Sequence, residues 1–239
     1  MSSNKSVFWL AIRRVMMFAL ICVVLAYPAS RFGVFEWPRA YDPLALPDLA
    51  VKPGFLTPWQ MRLVDFQPAD CTLVLGRAGV AAVLQPPKNT GSSCEISGAI
   101  AVSGFSTARI KPENMRCAVA ARLYLWERHV LQPAARRLLG EEIAEVLHFG
   151  SFSCRTRRGG SDMSEHATAN AFDISGFKTR SGKVISVKRD WRRATPEGQL
   201  LYAARDGLCD WFKATLSPDY NADHADHFHV DMGLWQTCL

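Results

Sequence analysis

The chain has 239 residues, 49% of them hydrophobic and 21% charged, with a formal net charge of +6. That length holds one good-sized domain with a core plus appendages, and the composition excludes a wholly disordered chain. Lys5, Arg13 and Arg14 fall in residues 1–28, which hold no acid, so the remainder carries 25 basic against 22 acidic residues. An excess that small is no nucleic-acid footprint, although it tolerates an anionic envelope.

The first element is a targeting segment. Lys5, Arg13 and Arg14 precede an apolar run from Val15 to Tyr27, and positive residues before a short apolar stretch read as an export signal. The run is short for a spanning helix. Val7 to Ile12 are apolar as well, so the segment crosses a membrane if the two arginines snorkel. Residues 1–28 are therefore read as a signal peptide or a membrane anchor, with the two left open because no clean small-x-small cleavage site follows. Residues 29–60 contain five of the 13 prolines and read as a Pro-rich linker, since proline stiffens the chain and removes a backbone donor. The alternative is an ordered arm packed on the domain.

The folded domain is assigned to residues 61–239. Two short strand-like runs, Thr72–Leu75 and Val80–Leu84, open it. Pro86-Pro87 and Gly91-Ser92-Ser93 mark a loop. From Pro112 the period changes: Met115, Val119, Leu123, Trp126 and Val130 recur at helical spacing. A second helix is expected from about Pro133 to Gly140, a strand at Ile143–Phe149 and another at Phe172–Ile174. A helix near Pro196–Leu216 and a strand at His227–Met232 complete the chain. Helices and strands without regular βαβ alternation predict an α+β fold, a small antiparallel sheet flanked by helices. Besides Cys22 in the apolar run, six cysteines remain, Cys71, Cys94, Cys117, Cys154, Cys209 and Cys238. An even number outside the signal of an exported chain predicts disulfides. Sequential pairing is the expectation: Cys71–Cys94, Cys117–Cys154 and Cys209–Cys238.

Four of the six histidines lie in two clusters, Ser164-Glu165-His166 through Asp173 and His224-Ala225-Asp226-His227-Phe228-His229. A catalytic zinc takes three nitrogen or oxygen ligands and keeps one position open. His166 from a loop, Asp173 from the start of a strand and His229 from a second strand supply such a set. His227 and His229 are two apart and share a strand face, so one ligates while the other stands beside the reacting water. Asp231 shares that face and can orient a ligand imidazole. Asp226 reaches the site only if the chain bends before His227. His129 and His148 are read as structural, and the basic stretch Lys178–Arg193 as a solvated hairpin around Ser181-Gly182.

The pattern S-x-H-x(6)-D followed by H-x-x-H-x-H resembles the bacterial extensin-like C-terminal domain family, over roughly residues 70–239. The Gly-Ser-Phe-Ser-Cys-Arg run at 150–155 and the run from Pro218 to Gly233 belong to the same resemblance. That family is similar to the D-alanyl-D-alanine carboxypeptidases and the LAS zinc peptidases, which implies a hedgehog/D-Ala-D-Ala carboxypeptidase-like core. The resemblance also implies Zn2+ on His166, Asp173 and His229, and Arg155 on a substrate carboxylate. The peptidase pattern often has glycine where Ala169 stands, and glutamate where Asp226 stands. The general base is therefore open among His227, Asp226 and His224, with His227 first on strand geometry. The implied activity is hydrolysis of amide bonds in peptidoglycan peptides by an exported, periplasmic protein, attached to the inner membrane if the N-terminal segment stays on. The competing expectation is a non-catalytic, metal-containing envelope protein that binds the wall through the same cleft.

Overall fold

The computed structural model describes residues 3–66, 68–89, 94–157 and 159–239. They form two compact units, Met1–Pro43 and Leu44–Leu239. The first is dominated by a single helix, α1 (Ser3–Arg31). Its segment Phe8–Arg31 has a mean hydropathy of 2.1, is 24 residues long and buries nothing within the structure. It is long and apolar enough to cross a membrane, a test that a signal sequence also passes.

The second unit begins at Leu44, inside the segment 29–60 expected to be a linker, and the residues before it belong to the unit of α1. Leu49 is buried in the core. His129 Nε2 meets the Leu49 carbonyl at 2.9 Å, and Arg128 Nε donates to the Ala50 carbonyl at 3.0 Å. The prolines keep residues 44–56 out of regular structure, and the leucines between them fasten the segment to the domain. This also gives His129 the structural role expected of it.

Two helices follow, α2 (Thr57–Phe66) and α3 (Pro68–Arg77). The run Thr72–Leu75 lies in α3 and is not a strand. Cys71, Val74 and Leu75 are buried together at helical spacing, and a run of four apolar residues is too short to reveal its period. Next come β1 (Val83–Leu84), β2 (Lys88–Asn89), β3 (Glu95–Ile96), β4 (Ala99–Gly104) and β5 (Arg109–Arg116). Gly91–Ser93 of the expected loop lie outside the described residues. Pro112 and Met115 belong to β5, whose Met115 pairs with Ile100 of β4. The long helix therefore starts later, as α4 (Cys117–Trp126), and runs through a π-turn at Glu127–Leu131 into α5 (Gln132–Leu139). Gly140 ends it with φ 73°, the left-handed cap that glycine adopts without a Cβ clash.

The rest of the unit comprises β6 (Ile143–Gly150), β7 (Ala171–Thr179), β8 (Val184–Ser186), α6 (Val187–Asp190), α7 (Pro196–Cys209), β9 (Ala214–Leu216), β10 (Phe228–Asp231) and β11 (Thr237–Cys238). Thr195 caps α7 through Gly198 N–H at 3.3 Å, and the helix stops at Cys209, so residues 214–216 are strand rather than the expected helix end. One nine-stranded sheet runs β1-β4-β5-β6-β7-β10-β9-β11, with β8 also on β7. It is antiparallel except for the β5–β6 and β9–β11 pairs. The fold class is α+β as expected, with a larger sheet. Tyr124, Trp126, Phe172, Phe177 and Phe228 are fully buried in one continuous core, which gives the aromatic stripe of α4 its packing role.

Three disulfides close the unit: Cys71–Cys117, Cys94–Cys154 and Cys209–Cys238. Only the last is a sequential pair. α3 packs on α4, which brings Cys71 to Cys117, and the loop after β6 passes the start of β3, which brings Cys154 to Cys94. Neighbours in sequence are not neighbours in space here. Three bridges fit an oxidising, exported environment.

Candidate metal centre

Asp173 and His229 are direct cross-strand partners on the antiparallel pair β7–β10, so their side chains leave the same face of the sheet. His166 comes from a 3-10 turn, Glu165–Thr168, that precedes β7. Ser164 caps this turn by accepting from His166 N–H. Ala169 ends it with φ 53°, and among the described residues it is the one non-glycine with positive φ. Arg116 clamps the turn, its N–H on the Ala169 carbonyl at 2.9 Å and its Nε on the Thr168 carbonyl at 3.1 Å.

Three donor atoms converge. His166 Nε2 lies 3.1 Å from Asp173 Oδ1 and 3.1 Å from His229 Nδ1, and His229 Nδ1 lies 2.9 Å from Asp173 Oδ1. The outward nitrogens are already committed. His166 Nδ1 donates to the Ser151 carbonyl at 2.8 Å, and His229 Nε2 donates to Asp231 Oδ2 at 2.9 Å. A carbonyl and a carboxylate can only accept, so each outward nitrogen carries the hydrogen. Both neutral imidazoles then turn a lone pair inward, next to a carboxylate oxygen. Three lone pairs at such distances repel unless a proton or a metal cation sits among them. Tetrahedral zinc at 2.0–2.2 Å from its ligands would set them about 3.3 Å apart, so the residues fit the ion with small adjustments.

The electrostatics agree. Burial drives the Asp173 carboxyl up, but hydrogen bonds and charge interaction with His166 and His229 outweigh it and hold the group well below the usual carboxylate range. Burial pulls His229 down, yet hydrogen bonds with Asp173 and Asp231 raise it to about 9. Two carboxylates around one imidazole make a cation-seeking site: without metal it keeps a proton, and with metal it gives the proton up.

Asp231 is held in turn by Gly233 N–H at 2.8 Å. A Cβ at Gly233 would stand 2.7 Å from Glu165 Oε1, so a side chain here would push the Glu165 carboxylate aside. Glu165 also accepts from Asn170 Nδ2 at 2.7 Å. The role of Asp231 was legible from strand alternation. Those of Ser151, Glu165 and Gly233 were not, since Ser151 acts through its backbone and the other two through a contact made by folding.

The other two histidines of the second cluster, His227 and His224, lie beside this trio. His227 Nε2 is 3.7 Å from Asp173 Oδ1, and its Nδ1 is 2.9 Å from Asp226 Oδ1. β10 starts only at Phe228, so the chain bends at His227, and Asp226 faces the histidine rather than the ligands. Phe149 packs edge-on against the His227 ring with centroids 5.6 Å apart. His224 stands one step further out, its Nδ1 2.6 Å from Asn221 Oδ1 and its ring 5.2 Å from that of His227. Burial, then the charges of His229 and His227, lower it to about 4.

These groups floor an open cleft of about 1310 Å³. Arg155 lines it with an exposed side chain, at the base of a hairpin closed by the Thr156–Met163 bridge. The neighbouring Arg158 lies outside the described residues. His148 is away from the cluster, stacked on Phe172 at 4.8 Å with Nε2 on the Lys111 carbonyl at 3.0 Å, a structural role as expected. In the basic stretch, Arg180 pairs with Glu142, Lys183 with Glu197, Arg189 with Asp190 and Arg192 with Asp219. This is a solvated, internally paired surface.

Fold and site define a class: a disulfide-bonded α+β domain whose central strands carry a candidate His/Asp metal centre. Residues 69–239 match the family described as Extensin-like protein C-terminus, most of the chain, and the protein belongs to that family. No curated protein and no solved structure matches it.

Proposed function

We propose that the protein is a zinc-dependent hydrolase that cleaves amide bonds in peptidoglycan peptides, with a core of the D-Ala-D-Ala carboxypeptidase and LAS type. The observation that carries the metal chemistry is the inward convergence of the three lone pairs of His166 Nε2, Asp173 Oδ1 and His229 Nδ1. The wall substrate rests on the resemblance of the two motifs to those peptidases. Zinc, when bound, lowers the pKa of a water to about 7 and polarises a scissile carbonyl.

The protein's own groups do the rest. His166 and His229 are locked in orientation by Ser151 and Asp231. His227 Nε2 faces the ligand set and takes the proton of the attacking water, then returns it to the leaving amine. Asp226 holds the Nδ1–H of His227, leaving Nε2 free to accept. Arg155 meets the substrate carboxylate with its planar fork of donors. Export places the domain in the periplasm, where the wall is, released or held at the inner membrane by α1.

Purified protein loaded with zinc and incubated with cross-linked muropeptides tests this by product analysis. Hydrolysis by the wild type and none by His166→Ala is expected. Full activity in a metal-free His166→Ala protein would overturn it. Bound metal with no cleavage of any muropeptide would reassign the cleft to wall binding.

A further inference from the structure

The last seven residues form a strap along the cleft. Thr237 N–H donates to the Lys213 carbonyl at 2.9 Å, Leu239 N–H to the Thr215 carbonyl at 3.0 Å and Ser217 N–H to the Leu239 carbonyl at 2.7 Å. The Cys209–Cys238 bridge fastens the strap to the end of α7. At its other end Gly233 is fixed on Asp231. Between these two anchors Leu234 and Trp235 are thrown outward, 94% and 72% exposed. Both line the cleft that contains His227, His229 and Asp173.

Two adjacent large apolar side chains, held at both ends and left in water, forfeit the burial that such residues ordinarily gain. Exposed apolar surface of this kind on a fixed frame marks a binding surface. Its neighbours restrict the ligand. The same cleft is lined by Arg155, whose side chain is exposed, and by Arg157, which stands 3.6 Å from Glu165, so Arg155 offers a partner for a carboxylate beside the apolar flank. A peptide fits both, with a free carboxyl group and alkyl side chains.

We propose that Leu234 and Trp235 form an apolar subsite that grips the peptide flank of the substrate, and so determine specificity in the reaction proposed above. The subsite rests on that function for the identity of its ligand. It supplies binding and takes no part in the proton transfers. Trp235 is therefore a determinant of KM, and the metal centre works without it.

The test uses the full chain in detergent, loaded with zinc, as wild type, Trp235→Ala, Trp235→Phe and Leu234→Ala. Turnover of cross-linked muropeptides is measured beside calorimetric binding of the same muropeptides and of their peptides freed of sugar. Trp235→Ala should raise KM and weaken binding roughly tenfold, with kcat and zinc content unchanged, and Trp235→Phe should recover most of the loss. The sugar-free peptides should show the same loss. An unchanged affinity in Trp235→Ala overturns the subsite, whatever the hydrolytic activity. A loss seen with muropeptides and absent with the sugar-free peptides overturns the peptide as occupant in favour of the glycan. A changed oligomeric state with unchanged affinity assigns the pair to a contact between copies of the chain and also overturns it. Wild-type protein that binds through Trp235 but cleaves nothing sinks the hydrolase and leaves the subsite standing.

Discussion

The four histidines of the two motifs look alike in sequence and divide in the fold into an inner pair, His166 and His229, and an outer pair, His224 and His227. His166 and His229 are buried, and each has its outward nitrogen tied to an acceptor that fixes its tautomer. His224 and His227 stand further out and make no hydrogen bond to the inner trio; His227 Nε2 is 3.7 Å from Asp173 Oδ1. The inner pair has the rigidity that metal ligation needs. The outer pair differs in direction rather than in access, since the His227 side chain is 13% exposed and that of His229 11%; His227 Nε2 stands beside the trio and not in it. Spacing alone brings the histidines into two motifs; each has one ring nitrogen on an acceptor, and where the other nitrogen points separates the inner pair from the outer.

That division can be broken most sharply at His227. His227→Ala should keep zinc and lose about 10²–10⁴ in kcat, read by elemental analysis and muropeptide turnover. Asp226→Asn should cost less, and more in kcat than in KM, because Asp226 acts only by holding His227. If His227→Ala loses the metal, the inner and outer pairs are one site.

Next in size is the support of the inner pair. Asp231→Asn should weaken zinc binding about 10–100-fold, measured by competition with a chelating dye, and leave the fold intact. The corresponding test at Asp226 should show no change in affinity, which sharpens the contrast between the inner and outer pairs.

A pH series probes the proton that stands in for the metal. In the metal-free protein His229 is raised from 6.5 to about 9. A group raised on folding contributes stability that is fully present below its unfolded value and lost as pH climbs through the folded one. Melting temperature of the metal-free protein should therefore fall between pH 6.5 and 9. Zinc affinity should rise over the same window, by about tenfold per pH unit while one proton is displaced. An affinity independent of pH there would mean that His229 does not exchange its proton for the ion.

The smallest effect is expected at Ala169, where the resemblance expects glycine and the backbone has φ 53°. Ala169→Gly should relieve left-handed strain and, after the added flexibility of the unfolded chain, stabilise the domain by about 0.5–1 kcal/mol in urea denaturation. Loss of stability would show that the Ala169 methyl packs better than it strains.

How much of this was legible in the sequence follows from the range of the forces involved. The convergence of the candidate ligands was legible because Asp173 and His229 sit on strands, where alternation fixes the face, and because Asp231 follows His229 by two. α5 and β6 were legible from Pro133, Gly140 and the apolar run between Ile143 and Phe149. α3 was not, because Thr72–Leu75 is too short to show a period, and β5 was not, because pairing with β4 overrides the helical spacing of Met115. The disulfides of Cys71 and Cys94 depend on which elements pack, a long-range property. The role of Asp226 depends on where β10 begins, a matter of one residue.

The central claim is that His166, Asp173 and His229 hold one divalent ion. The most direct measurement is a zinc titration of the purified, metal-stripped full chain followed by elemental analysis, beside His166→Ala and Asp173→Ala proteins of matching circular dichroism. One tightly held zinc per wild-type chain is expected, and it should be lost in both variants. A wild-type chain that takes up no divalent ion, or variants that keep it, would contradict the account.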